Sequence, residues 1–65
     1  MKVMYDTNTD TLTITFREAP IKESDEIRPG MIVDFGHDDG VVGIEILDAS
    51  KVVEEAREIQ FGVAC

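Results

Sequence analysis

The side chains with chemical potential crowd into one stretch, Met31 to Ser50, which carries Asp34, His37, Asp38, Asp39 and Glu45. Three acids in a glycine-containing loop raise the question of a cation. Taking Asp34 as position 1 of a calcium loop puts Asp38 at 5 and Glu45 at 12. The rest of that template fails. Gly36 stands where a third ligand belongs, and Asp39 stands where the sharp turn needs glycine. Asp34, Asp38 and Glu45 are therefore weak metal candidates, and a solvated hairpin turn is the better reading of Asp38 and Asp39.

Acid–base chemistry is the next possibility. Asp34 and Glu45 fall on one face of a hairpin, and a carboxylate pair does such work when a cleft splits the two pKa values. His37, the single histidine, has no serine or cysteine nucleophile in a suitable motif beside it. Ser24 and Ser50 lack a nucleophile elbow. Gly36, Gly40 and Gly43 make no phosphate cradle, and Gly43 reads as a bulge or a close backbone approach. No catalytic residue and no cofactor is assigned. An enzyme, ligand or metal site around Asp34, His37 and Glu45, formed between subunits, is the alternative reading.

The elements that position these groups follow from periodicity. Strands are expected at about 1–6, 11–17, 23–28, 31–36 and 41–47, where apolar residues alternate with polar ones. Thr7 to Asp10 is turn chemistry, and Pro29-Gly30 supplies a second turn. With Asn8-Thr9 at the tip, Tyr5 meets Leu12, Val3 meets Ile14 and Met1 meets Phe16. In the Met31–Ser50 hairpin, parity allows two registers. A tight Asp39-Gly40 turn sets Asp34 opposite Glu45, two like charges. A four-residue loop, His37 to Gly40, separates them and is favoured on that ground.

From Ala49 the apolar residues change spacing. Ala49, Val52, Val53, Ala56 and Ile59 form a stripe that predicts a helix over about 49–60, capped by Asp48 or Ser50, with 61–65 as a tail. Leu47 and Val52 are placed to staple its start. The expected fold is α+β: an antiparallel β-meander of four to five short strands with one C-terminal helix packed on one face, in a single domain, 1–65. Met4, Ile27, Ile32 and Leu47 fall away from that helix and are the interface candidates.

Composition narrows the partners. Fourteen acids against six bases give a net charge of −8, which disfavours direct nucleic-acid binding and favours a basic protein partner. A 65-residue chain buries a small fraction of its surface, and its single cysteine, Cys65, excludes an internal disulfide. A homo-oligomer, a dimer first of all, is the expected supplement. No apolar run reaches a membrane-spanning length and no export signal is visible, so no membrane role and a cytoplasmic location are expected.

Tyr5-Asp6, then Asp10, Leu12 and Ile14, then Pro29-Gly30, Asp34, Asp38, Gly40 and the block Val41 to Ser50 together resemble the small prokaryotic family known as domain of unknown function 2283 (DUF2283). The resemblance runs to about Val53 and is most specific in the last block. It implies a compact sheet-plus-helix fold and carries over no catalytic residue. Some members of similar families sit beside small toxin-like ribonucleases, which implies an antitoxin-like neutraliser. Taken together, the expected function is that of a small acidic, non-catalytic protein-interaction module.

Overall fold

The computed structural model describes residues 1–64. Five strands form one antiparallel sheet: β1 (Lys2–Asp6), β2 (Thr11–Thr15), β3 (Ile21–Arg28), β4 (Met31–Gly36) and β5 (Val41–Ile46). Their spatial order is β1-β2-β5-β4-β3. The chain is therefore not a simple meander. β5 inserts beside β2 and alone joins the β1–β2 hairpin to the β3–β4 hairpin.

Most of the expected hairpin pairs are present, though the Met1–Phe16 pair is not among them. Tyr5 pairs with Leu12 and Val3 with Ile14. Val33 pairs with Ile44 and Asp34 with Gly43, which is the longer-loop register, and a bulge then sets Phe35 against Val41. Gly43 sits at this irregularity because a side chain does not fit there. A Cβ at 43 would come within 2.7 Å of the Ile14 carbonyl oxygen on β2. Pro29-Gly30 makes the β3–β4 turn, with Gly30 at a positive φ of 80°.

The predicted helix is absent, and the α+β expectation gives way to an all-β sheet. Among the described residues after β5, only a 3₁₀ turn, Ala49–Lys51, forms. Asp48 occupies the N-cap position at φ 50° and its side chain makes no capping bond. Val52 is 65% exposed, so the staple with Leu47 is not made. A second left-handed residue, Glu55, interrupts the segment. The physical reason is that twelve residues are marginal as a helix without tertiary support. Here Val52 and Val53 are β-branched, and Glu58 would sit at the negative end of the helix dipole. Of the expected tail, Cys65 lies outside the described residues.

Pairing across all five strands sorts the side chains onto two faces. One face carries two nearly continuous apolar rows. Val3, Ile14, Ile44 and Val33 line up and end at Asp25. Tyr5, Leu12, Ile46 and Met31 line up and end at Arg28. The other face carries Met4, Thr13, Glu45, Ile32 and Glu26 in one row, and Lys2, Thr15, Gly43, Asp34 and Ser24 in the next.

No second layer of strands or helices closes over either face among the described residues. Among the described residues, Leu12, Val33, Val42 and Ala49 are the buried apolar ones and no large side chain is fully buried. Ile14, Ile44, Ile46, Met31 and Phe35 are only half-buried. The radius of gyration is 12.5 Å, against about 11 Å for a close-packed chain of this length.

Candidate functional site

Three polar clusters take up the chemically capable residues. The first holds Asp34, the single buried charged residue among those described, at 6% exposure. The Ser24 hydroxyl on β3 donates to Asp34 Oδ1 at 2.6 Å. Glu45 stands diagonally across, because Asp34 opposes Gly43 and Glu45 opposes Ile32. Gly43 puts no side chain between them. The Glu45 carboxyl is hydrogen-bonded to Asp34, and this bond, partial burial and the Asp34 charge raise its pKa, in that order. A protonated Glu45 donating to Asp34 is the arrangement that satisfies both groups. The two acids are offset rather than directly opposed, and the nearby Asp34 favours the neutral form of Glu45.

The second cluster is the β4–β5 turn. Arg17 Nη2 donates to Asp38 Oδ1 at 2.6 Å, and Lys22 Nζ reaches Asp39 Oδ1 at 3.3 Å. The Arg17 bond, followed by the Gly40 amide, holds the Asp38 carboxyl below the ordinary range. Arg17 lies in the connection between β2 and β3, and Lys22 near the start of β3. These exposed pairs tie the strand crossing to the turn and add little energy each. His37 is exposed in the same turn.

The third cluster is a clasp. Asp10, in the left-handed region at φ 53°, accepts from the Tyr5 hydroxyl at 2.6 Å, the Ser50 amide at 3.0 Å and the Ser50 hydroxyl at 2.6 Å. Its carbonyl also accepts from the Ala49 amide at 2.9 Å. The Ser50 hydroxyl, then that of Tyr5, lowers the Asp10 pKa, and the Tyr5 hydroxyl is raised in return by its bond to Asp10. The clasp pins the 3₁₀ turn to the β1–β2 hairpin across forty residues of sequence.

The sequence candidates therefore separate. Asp34 and Glu45 come together, whereas Asp38 turns to Arg17 instead. No group of three or more His, Cys, Asp or Glu side chains that could hold a metal occurs among the described residues. Met4 and Ile32 share one row, and Met4 and Leu47 line a shallow depression with Thr11, Thr13 and Glu45. Ile27 is exposed at the bulge near the end of β3.

Sequence reasoning missed the partners rather than the acids. Ser24 for Asp34, and Arg17 for Asp38, lie 10 and 21 residues away and no local pattern links them. The clasp left a visible trace. Tyr5, Asp10 and Ser50 all lie within the stretches that carry the family resemblance, but Ser50 sits where the apolar stripe places a helix cap.

No helix among the described residues is long and apolar enough to cross a membrane. No curated protein and no solved structure matches the chain. A family profile matches residues 2–50, which ends on the Ser50 that closes the clasp. The chain belongs to the family described as a protein of unknown function, DUF2283.

Proposed function

We propose that this chain is a non-catalytic protein-interaction module that works as a homodimer, with the apolar sheet face of one copy packed on that of a second. The open face carries this reading. Eight side chains in two rows, seven of them apolar and the eighth Tyr5, span four strands; Val3 is exposed, Leu12 and Val33 are buried and the other five are half-buried, with no strand or helix above them among the described residues. The charges in those rows, Asp25 and Arg28, sit at the β3 end, so the net charge of −8 does not fall on the centre of the contact.

The area agrees. The chain exposes 5089 Å², where a folded monomer of this mass exposes about 4,100 Å². The excess, part of it from the open segment after Ala49, is of the order of the ~800 Å² that each partner buries in a standard interface. Two such sheets pack about 10 Å apart and give each other the core that one chain lacks.

Light scattering behind size exclusion tests this. Wild-type protein at micromolar concentration is expected at no less than twice the 7.2-kDa chain mass. Ile44→Lys puts an unpaired charge into the contact twice over and is expected to weaken dimerisation by a hundredfold or more, on the order of 3 kcal/mol. A wild-type monomer at that concentration rejects the proposal.

A second reading draws on β3, whose eight residues are all exposed and include Glu23, Asp25 and Glu26. This acidic edge, with the overall charge, suits a basic partner protein, as an antitoxin-like neutraliser would require. Co-purification of a basic protein, lost when Glu23, Asp25 and Glu26 become glutamine, is the outcome it requires.

A further inference from the structure

β1 ends the sheet on one side, and its outer backbone groups pair with no strand among the described residues. Such an edge is a template for another strand. Its sequence, Lys2-Val3-Met4-Tyr5-Asp6, has a property the other strands lack. Run against a second copy of itself in antiparallel order, it sets Lys2 opposite Asp6, Val3 opposite Tyr5 and Met4 opposite Met4. Each cation meets an anion and each apolar residue meets another. Directly opposed residues also share a face, so Val3 and Tyr5 continue the apolar face into the second copy.

The register is selective. A shift of two residues in either direction sets a charged residue against Met4 and breaks both ion pairs. A shift of one residue joins the apolar face of one copy to the polar face of the other. The strand is also accessible. Lys2, Val3, Met4 and Asp6 are exposed, Met4 by 54%.

We propose that β1 is a self-pairing edge. Two copies join β1 to β1 about a two-fold axis through Met4, with Lys2 of each copy paired to Asp6 of the other, and form one ten-stranded sheet. This contact lies on the sheet rim and does not depend on face-to-face packing. Face and edge used together give assemblies larger than a dimer. Five-residue strands make a small contact, so the edge pairing is concentration-dependent.

Two experiments on the full chain test it. In an Ile44→Lys background, which removes the face contact, Lys2→Glu replaces both ion pairs by like charges and is expected to weaken association about tenfold. Lys2 pairs in the sheet with Thr15, so this change touches no ion pair within the chain. In a Cys65→Ser background, Met4→Cys is expected to oxidise to a covalent dimer, because opposed Cα atoms lie about 4.5–5.5 Å apart. Lys2→Cys is expected to remain uncrosslinked, since residue 2 lies about 14 Å from its own copy in this register. The edge proposal is overturned if position 4 fails to crosslink, if position 2 crosslinks equally well, or if Lys2→Glu leaves association unchanged. Crosslinking at position 4 reads the edge alone and Ile44→Lys reads the face alone, so the two proposals fail separately.

Discussion

The two edges of this sheet are built on opposite principles. β1 is short, unbroken and charge-symmetric, with a cation at one end and an anion at the other. β3 is longer, fully exposed, and carries register shifts near both ends. Pairing β3 with a second copy about Ser24 sets Glu23 against Asp25 twice. Pairing it about Asp25 sets that acid against itself. Bulges and inward clusters of like charge are how an edge is kept from self-pairing. Under the proposed β1 pairing, one edge is closed by charge and one is open, which would limit growth by edge pairing to two copies.

The contrast can be attacked from the centre first. β5 alone joins the hairpin bearing β1 to the hairpin bearing β3. Gly43→Ala pushes a methyl group to 2.7 Å from backbone on β2. It is expected to destabilise the fold by about 1–3 kcal/mol, measured by urea unfolding, and to weaken both edges together. An unchanged midpoint contradicts the close approach.

The closed edge can then be opened. Asp25→Lys turns the two Glu23–Asp25 repulsions into attractions in the pairing about Ser24, where Lys22 already meets Glu26. Association by sedimentation is expected to rise by about 1 kcal/mol, with species larger than those of the wild type. No rise shows that the bulges rather than the acids close this edge.

The smallest effect concerns the inner pair. The Glu45 pKa is raised, so the stability linked to its proton is complete below the ordinary glutamate range and is lost as pH climbs through the raised value. Glu45→Gln keeps a donor toward Asp34 and removes the second charge. It is expected to melt higher than wild type at pH 7, by a few tenths of a kcal/mol after discounting for solvent screening, and to match it below pH 4. A gap that widens on acidification contradicts the raised Glu45 pKa.

The hairpins were legible because parity constrains them. Val33 opposite Ile44 and Tyr5 opposite Leu12 follow from keeping apolar residues on one face. The strand order was not legible. The insertion of β5 beside β2 rests on long-range pairings such as Ile14 with Ile44, and on Arg17 and Lys22 meeting the β4–β5 turn. The expected helix fails to form because its apolar stripe is real but unsupported. Periodicity reports which residues would share a face, not whether anything packs on it. Of the candidate site, the Asp34–Glu45 contact was visible as a question, and its answer lay in Ser24 and in the missing side chain of Gly43.

On the proposed homodimer, one copy of this sheet is incomplete. The most direct measurement is the solution mass of the wild-type chain across a dilution series, by light scattering. Mass is expected to stay at or above twice 7.2 kDa through the micromolar range and to fall toward one chain for Ile44→Lys. A wild-type mass of one chain across that range contradicts the account.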